Sequence, residues 1–437
     1  MENIKKFIRK YFLIEERDTS IRTECLGGLL NFFTIMYIVV VNPAMFAAAG
    51  MDFGGVFLAT IVSIVIGCLY MGIVSNYPIV IAPGLGINAY VVYTVIMTMG
   101  YSWQSTLGCC FVAATIFLLL SMTSFREQLI ASIPECLKVG ITAGIGLFIV
   151  FIGLKNGGLV ISDHSTYVAL GDLTNTGTAL TAVGIIISLI LATRNIPAAM
   201  LLGMFILAVV SYVLGVFQLP QQLISLPTGF SATAGHLDFT HVPEMLPIVI
   251  IILLVTMFDT TGTMIGVAKQ AKLMKGDYFP NLRSALMSDA FASFWGTLMG
   301  TGPCSSFVES SAGVMAGART GLAAVITGLL FILLIFMFPI ANAIAAVPAI
   351  TAPVLIIAGI HMFREINTLD WGDKRALFPA VLTCIMMPLT YSITNGVAIG
   401  MLSYVAISIA VGKIREIHPL LYLFSIWFLL DFLKILQ

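Results

Sequence analysis

Charged residues are scarce in this 437-residue chain, at 10% against about 25% in a typical soluble domain. Its 21 Lys and Arg residues are balanced by 21 Asp and Glu residues, so it lacks the basic excess expected of a nucleic-acid-binding protein. The cysteines show no CxxC spacing and mostly lie in apolar runs, which predicts core residues rather than disulfides or a zinc site. They are Cys25, Cys68, Cys109, Cys110, Cys136, Cys304 and Cys384. Hydrophobic residues make up 59% of the chain, which predicts a polytopic membrane protein.

A helix needs about 20 apolar residues to cross the hydrocarbon core of a bilayer. The first half of the chain offers seven such segments, at 28–48, 54–74, 79–98, 105–122, 133–154, 178–193 and 197–217. The second half offers seven more, at 246–267, 284–300, 304–317, 322–340, 345–363, 376–393 and 395–412. We therefore predict an all-α protein with 14 transmembrane segments. The last apolar run, 418–436, contains Asp431 and Lys434 and is predicted to lie on the membrane surface, with a fifteenth span as the alternative.

The distribution of Lys and Arg supports this count, because cations collect on the cytoplasmic side of membrane proteins. With the N-terminus inside, the inner loops receive Arg126, Lys138, Arg194, Lys269, Lys272, Lys275, Arg283, Arg319, Arg364, Lys374, Arg375, Lys413 and Arg415. Lys155 alone falls outside, and the outer loop 218–245 has no Lys or Arg. Both termini are thus predicted to be cytoplasmic. Residues 1–22 are predicted to be an amphipathic lead-in that is retained, since no cleavable signal precedes the first apolar run.

The third segment of each half is interrupted where it begins. The first break lies in Ala82–Tyr90 and the second in Thr301–Gly313, and both contain proline and glycine, which stop a helix. Backbone groups freed inside a membrane are tolerated only where protein or a water-filled cavity satisfies them. A weak likeness between the halves, with an odd number of segments in each, predicts that they are inverted repeats. Two breaks at equivalent repeat positions favour a ligand site, although packing kinks remain the alternative.

Three carboxylates lie within predicted segments of the second half: Asp259, Asp289 and Glu309. An acid near the bilayer centre costs about 2.5–3.5 kcal/mol on insertion scales, so three of them indicate function. Glu309 follows the second break, where its carboxylate could accept two N–H bonds from a flat heterocycle. Asp259 lies among hydroxyl groups and could carry a proton, whereas Asp289 could also be a structural anchor.

Several other residues admit two interpretations. The stretch Asn31–Tyr37, which contains Phe33 and Thr34, mixes aromatic and hydroxyl groups, so it could pack in the core or stack on a planar substrate. Phe258, beside Asp259, has the same two interpretations. His361 is interpreted as an interfacial residue near an inner segment end, with a proton pathway as the alternative.

These motifs resemble the nucleobase–cation symporter 2 family, and within it the AzgA-like adenine/guanine/hypoxanthine permeases. The matching pieces occur in order along nearly the whole chain, at Asn31–Pro43, Ala82–Tyr90, Met257–Thr263 and Val308–Gly313. One departure is the stretch Thr301–Ser306, which reads Thr-Gly-Pro-Cys-Ser-Ser where purine members usually carry Thr-Ser-Pro-Val-Thr-Ser. Gly302 and Cys304 are therefore expected to alter the neighbourhood of the pocket.

The resemblance implies two inverted repeats of seven segments, with short extended stretches in segments 3 and 10 that meet at the site. It implies a core domain that moves against a gate domain. The implied divisions are a lead-in at 1–22, core parts at 23–130 and 246–340, gate parts at 131–220 and 341–415, an outer loop at 221–245 and a C-terminal helix at 416–437. By position, Glu309 corresponds to the substrate-binding acid, Asp259 to an acid tied to binding and proton coupling, and Asp289 to an acid important in purine members. Backbone groups near Ala89 and Phe307 would contact substrate, and Ser306 lies beside them.

The expected activity is import of guanine, hypoxanthine or adenine across the cell membrane by proton symport, with elevator-like alternating access. No cofactor, metal or nucleic acid is expected; the bilayer is a partner and a homodimer is allowed. Sodium remains an alternative coupling ion, because the hydroxyls of Thr260, Thr261 and Thr263 would suit it. The rival functions are a uracil or xanthine permease and an anion transporter of the same fold. An intramembrane hydrolase using Asp259 and Asp289, or a passive channel, is a remoter alternative.

Overall fold

The computed structural model describes residues 2–123, 132–194, 196–274 and 279–433. The predictions for Arg126, Lys275 and Lys434 lie outside these residues. The first half of the chain forms α1 (Glu2–Tyr11), α2 (Ile21–Ile35), α3 (Ile38–Ala48), α4 (Phe53–Tyr70), α5 (Leu85–Ala89), α6 (Trp103–Ser121), α7 (Glu135–Asn156), α8 (Thr176–Thr193) and α9 (Ala199–Val213). The second half forms α10 (Phe230–Thr233), α11 (Leu246–Gln270), α12 (Leu282–Met299), α13 (Ser311–Met315), α14 (Gly321–Leu333), α15 (Phe338–Ala345), α16 (Pro348–Phe363), α17 (Lys374–Thr390), α18 (Ile393–Ala410) and α19 (Pro419–Phe432).

Four short strands interrupt this helical fold: β1 (Ile81–Pro83), β2 (Val160–Asp163), β3 (Tyr167–Leu170) and β4 (Cys304–Ser306). Shorter turns of helix extend several elements. They are the π-helical turns Met71–Ser75 and Tyr90–Ile96 and the 3₁₀ turns Val308–Ser310, Leu334–Phe336, Arg364–Thr368 and Ile414–Glu416.

Eight helices among the described residues are long and apolar enough to cross a membrane. They are Ile21–Ala48, Phe53–Ser75, Trp103–Ser121, Glu135–Asn156, Thr176–Thr193, Leu246–Gln270, Pro348–Thr368 and Ile393–Ala410. Shorter apolar helices lie at 85–96, 199–213, 321–336 and 419–432. The chain is thus a mostly helical, multi-pass membrane protein. The predicted count of 14 segments exceeds these eight because the other segments form helices that are shorter or less apolar, among them α9, α12, α14 and α17.

The two predicted breaks pair with each other. Strands β1 and β4 are antiparallel, with Ile81 opposite Ser306 and Pro83 opposite Cys304. Two further backbone hydrogen bonds extend the pair, from Gly84 N to Pro303 O at 2.9 Å and from Phe307 N to Val80 O at 3.0 Å. The extended backbone groups therefore satisfy one another inside the protein, which is what a buried, non-helical stretch at membrane depth requires.

A β-hairpin departs from the all-α prediction. Strands β2 and β3 pair antiparallel, with Val160 opposite Leu170 and Asp163 opposite Tyr167. The hairpin lies between α7 and α8, in the connection between the predicted segments 133–154 and 178–193. Its strands of four residues are too short to give a reliable alternating pattern in the sequence.

The long connection after α9 is fastened to the bundle by Asp238. The Ser105 hydroxyl donates to its Oδ2 at 2.5 Å, and the Thr240 hydroxyl and backbone N–H donate to its Oδ1 at 2.5 and 3.0 Å. These bonds, led by that from Ser105, lower the pKa of the half-buried Asp238 carboxyl to about 2. The loop 221–245 is therefore held against the start of α6.

The cysteine prediction is confirmed for six of the seven residues. Cys25 is exposed, whereas Cys68, Cys109, Cys110, Cys136, Cys304 and Cys384 are buried free thiols. They act as small core residues.

Candidate functional site

The second break is held in place by a serine from the preceding helix. Ser293 donates its hydroxyl to the Cys304 carbonyl at 3.1 Å and accepts from the Cys304 N–H at 2.8 Å. At the other end of the strand, the Ser310 hydroxyl accepts the Val80 N–H at 2.9 Å and donates to the Phe307 carbonyl at 2.6 Å. Residues 304–310 are thus fixed at both ends.

A buried amide network joins the two breaks to the first segment. The Asn42 side-chain N–H group donates to the Thr60 hydroxyl at 2.8 Å and to the Thr301 hydroxyl at 2.9 Å. The Asn88 amide donates to Asn42 Oδ1 at 2.8 Å. Gly302 is required here, because a Cβ at that position would lie 2.1 Å from Asn88 Oδ1. The departure at Gly302 therefore accommodates an asparagine side chain behind the strand.

The first segment bends where it passes the site. Helix α2 ends at Ile35 and α3 begins at Ile38, and Pro43 within α3 cannot donate a hydrogen bond to the preceding turn. Tyr37 lies in this bend, fully buried, and its hydroxyl donates to Glu309 Oε1 at 3.0 Å. Nearly two turns before Tyr37, Asn31 Oδ1 accepts the Gly313 N–H at 2.8 Å, so the bent segment holds both ends of residues 309–313.

A cavity lies between the paired breaks, α11 and α16. It is lined by Tyr37, Leu85, Gly86, Asp259, Thr263, Ser305, Ser306, Phe307, Val308, Glu309, Ala358, His361 and Met362. Both predicted binding acids, Asp259 and Glu309, are half-buried and face this cavity. The Asp259 carboxylate also interacts with the Ser305 hydroxyl.

The cavity combines acceptors with free donors. Helix α5 begins at Leu85, directly after β1, and a 3₁₀ turn begins at Val308, directly after β4. The first N–H groups of a helix have no partner within the helix, so these two starts present donors beside the two carboxylates. Their partial positive charge also suits an electron-rich ligand atom. The site can therefore bind a planar polar molecule that has both N–H groups and acceptor atoms.

The structure brings some of the other predicted residues to this cavity and not others. Ser306 and Phe307 line it, and the Ser306 hydroxyl donates to the Thr260 carbonyl at 3.0 Å. Thr34 instead lines a neighbouring cavity, and its hydroxyl donates to the Leu30 carbonyl. Of the described residues, three others that were predicted to touch substrate line neither cavity: Phe33, Phe258 and Ala89. Phe33 is 42% exposed, whereas Phe258 and Ala89 are buried.

Asp289 and Cys304 lie behind the site. Asp289 is fully buried in α12, and its Oδ1 accepts the Ala290 N–H at 2.9 Å. The Cys304 thiol is fully buried too and interacts with the Ser63 hydroxyl. Neither Asp289 nor Cys304 is among the described residues that line the cavity. Cys304 therefore lies next to the cavity-lining residues Ser305 and Ser306 without lining the cavity itself.

Two residues that line the cavity were not singled out as site residues from the sequence. Tyr37 was noted only as part of an aromatic stretch, and His361 was interpreted as an interfacial residue. His361 is exposed and lines both the central cavity and its neighbour. Tyr37 could have been singled out from the sequence because it lies six residues before Pro43, and a proline bends the part of the helix that precedes it.

The neighbouring cavity continues from the central one, with which it shares Val308, Glu309 and His361. It reaches Ala198–Met200 at the start of α9 and Met315 at the end of α13. A third cavity, lined in part by Tyr93, Asn156 and Thr351, shares no described residue with the central one. The central cavity therefore adjoins the cavity beside α9 and α13 and is separate from the third cavity.

Two hydrogen bonds join the π-helical turn Tyr90–Ile96 to other elements. The Asn156 amide donates to the Tyr93 hydroxyl at 2.7 Å, and the hydroxyls of Tyr90 and Thr394 share a hydrogen bond of 2.6 Å.

In the part of the chain that the structure describes, no three His, Cys, Asp or Glu side chains are grouped as a metal site.

Comparison with known proteins identifies the family. Residues 22–399 match the model of the Permease family known as Xan_ur_permease. The chain is 43% identical over 427 residues to the guanine/hypoxanthine permease PbuO of Bacillus subtilis, covering 96% of this chain and 99% of PbuO. It is 37% identical over 427 residues to the adenine permease AdeP of Escherichia coli, covering 97% of this chain and 95% of AdeP. The chain belongs to this permease family, and the resemblance to the nucleobase–cation symporter 2 family is confirmed.

Solved structures share the fold at low sequence identity. The transmembrane domain of the cyanobacterial bicarbonate transporter BicA superposes with a TM-score of 0.63 at 13% identity, covering 86% of this chain and 97% of that domain. SLC26A9 superposes with a TM-score of 0.64 at 14% identity, covering 94% of this chain and 69% of that protein. The architecture is therefore that of a membrane transporter.

Proposed function

We propose that this protein imports purine nucleobases, namely guanine, hypoxanthine or adenine, by proton symport. The observation that carries the proposal is the meeting of Glu309 and Asp259 in one cavity beside the two paired breaks. The names of PbuO and AdeP, which the chain matches over nearly its full length, support a purine as the substrate.

The donors and acceptors of the cavity suit the edges of a purine. The Glu309 carboxylate accepts N–H groups of the base, while Tyr37 holds its Oε1. The N–H groups at the starts of α5 and the Val308–Ser310 turn donate to the ring nitrogen or the 6-oxo group, which are acceptors in guanine. Phe307, an aromatic residue that lines the cavity, packs against the ring and takes the role first assigned to Phe33 or Phe258. Ser306 fixes the strand against α11.

The same cavity has a place for the coupled proton. Asp259 lies across from Glu309 and beside the Ser305 hydroxyl, which can bond to either protonation state of a carboxyl group. A neutral base binds together with one proton, so the charge of Asp259 depends on whether the base is bound. Asp289 takes part as a positioning residue behind β4. Sodium is the alternative ion, to be separated by ion replacement.

In our proposal, alternating access opens the central cavity to each side of the membrane in turn. In our proposal, 14 segments form two inverted repeats, and the core parts at 23–130 and 246–340 move against the gate parts at 131–220 and 341–415. The central cavity lies where these parts meet, since Glu309 belongs to the core and His361 to the gate. The path through Ala198–Met200 leads to the side that the cation distribution assigns to the cytoplasm. The protein would then lie in the cell membrane with both termini inside.

Uptake in cells that lack their own purine permeases tests this proposal. Cells producing the protein are expected to accumulate labelled guanine, hypoxanthine or adenine, and the same three bases without label are expected to compete where uracil and xanthine do not. An uncoupler should abolish accumulation, and a lower external pH should raise it. Competition by uracil or xanthine alone, or uptake of no base at all, would overturn the substrate assignment.

Glu309→Gln is the decisive variant, because it keeps the side chain's size and removes its charge. Uptake should be lost while the protein still reaches the membrane. Glu244→Gln is the matched control, since Glu244 lies in the outer loop with 69% of its side chain exposed. Equal uptake by both variants would contradict the role of Glu309.

A further inference from the structure

The helix that precedes the first membrane segment has two distinct faces. Residues Phe7, Ile8 and Tyr11 of α1 share one face, because Tyr11 follows Ile8 by three residues and Phe7 by four. The opposite face carries four cations, which are Lys5, Lys6, Arg9 and Lys10. Within residues 2–11 only Glu2 opposes this charge. Glu15 and Glu16 lie beyond the end of the helix, and Arg9 approaches Glu15 at 3.9 Å.

The helix is fixed to the end of the bundle. Ile8 and Phe12 pack with Leu322 in a small apolar cluster, which attaches α1 to the start of α14. The Tyr11 hydroxyl donates to the Ile73 carbonyl at 3.0 Å. In the loop that follows, the Arg17 guanidinium donates to the Asn76 carbonyl at 2.5 Å. The orientation of α1 is therefore set by contacts with membrane segments.

Part of the apolar face of α1 is exposed, since no described residue packs over it. Phe7 is 66% exposed and stacks on Tyr11, which is 44% exposed, with ring centroids 5.8 Å apart. Beside Tyr11, Ile73 and Val74 are also exposed, at the end of the candidate span Phe53–Ser75. The exposed aromatics of α1 thus continue the outer apolar wall of the bundle, which faces lipid.

We propose that α1 is an interfacial helix that binds the anionic headgroups of the adjoining leaflet. Phe7 and Tyr11 enter the boundary between headgroups and acyl chains, as apolar faces of interfacial helices do. The four cations then lie at the level of the phosphates, where basic side chains near a helix surface attract anionic lipid. The proposal is independent of the transported substrate.

A fluorescent label on α1 of the full-length protein tests this proposal. Asn3→Cys in a Cys25→Ser background gives one accessible thiol, because the other six cysteines are buried. The protein is labelled with an environment-sensitive dye and placed in vesicles of phosphatidylcholine, with or without about one quarter phosphatidylglycerol. Quenching by a lipid with a spin label near its headgroup reports whether α1 lies in the interface.

We expect about twofold more quenching in the vesicles that contain phosphatidylglycerol, and loss of most of this gain at about 0.5 M salt. Lys6→Gln/Lys10→Gln should lose most of the gain too. The control Lys413→Gln/Arg415→Gln removes the same charge from an exposed loop at the other end of the chain and should keep it. Equal quenching in the two lipids would overturn the proposal. So would retention of the gain in the α1 variant, or an equal loss in the control.

Discussion

The Tyr37 hydroxyl donates to Glu309 Oε1 at 3.0 Å, joining the bend of the first segment to the start of a broken segment 272 residues later. Tyr37 is fully buried, whereas Glu309 is half-buried and faces the cavity. One carboxylate oxygen of Glu309 is therefore held in place by Tyr37, and the second remains available to a ligand. This geometry fixes the carboxylate before substrate arrives.

Tyr37→Phe should weaken purine binding while preserving the ring that packs in the bend. A hydrogen bond to a charged group contributes about 1.5–3 kcal/mol, so the Kd for guanine should rise about tenfold or more. Equilibrium binding to the purified protein measures this change. An unchanged Kd, with Tyr37→Phe as stable as the wild type, would show that Glu309 needs no support from Tyr37.

Asp259→Asn should separate binding from coupling. The amide keeps the size of the side chain but cannot exchange a proton, so accumulation driven by a pH gradient should fall to the level of empty vesicles. Exchange of internal unlabelled hypoxanthine for external labelled hypoxanthine should persist. Loss of both activities in a stable protein would assign Asp259 to binding alone, and retention of gradient-driven uptake would remove it from coupling.

Gly302→Ala should destabilise the protein, because its Cβ would lie 2.1 Å from Asn88 Oδ1 in a buried network. Overpacking of this kind costs about 1–3 kcal/mol. Thermal unfolding in detergent should therefore begin at a lower temperature. Gly266→Ala is the control, since a Cβ there meets no atom within 4 Å. Equal melting temperatures for the two variants would refute the close approach.

Glu24→Gln should loosen the end of the bundle near α1. The fully buried Glu24 carboxylate accepts the Arg319 N–H at 2.7 Å, the Thr320 N–H at 3.2 Å and the Thr19 hydroxyl at 3.0 Å. It thereby satisfies N–H groups just before α14. Loss of the charge should cost about 1–3 kcal/mol, measured as a lower unfolding temperature. Glu135→Gln, an exposed acid in α7, should leave it unchanged.

The sequence was sufficient to locate the breaks and the acids of the second half. Proline and glycine stop helices wherever they lie, and a carboxylate in an apolar run is conspicuous. Pairing of 81–83 with 304–306 was expected only from the family resemblance, because nothing in two three-residue stretches specifies a partner so far along the chain.

Other features depended on tertiary contacts. Glu24 was overlooked because the first segment was predicted to begin at residue 28, whereas α2 begins at Ile21 and buries the acid against the loop before α14. Phe33 and Phe258 were candidates by proximity in sequence to Thr34 and Asp259. Neighbouring residues of a helix point about 100° apart, so proximity in sequence did not bring them to the cavity.

Binding of labelled guanine to the purified protein, compared between the wild type and Glu309→Gln, tests the central claim most directly. The account predicts saturable binding to the wild type that unlabelled hypoxanthine displaces, and no saturable binding to a folded Glu309→Gln protein. Equal binding by the two proteins, or none by the wild type, would contradict it.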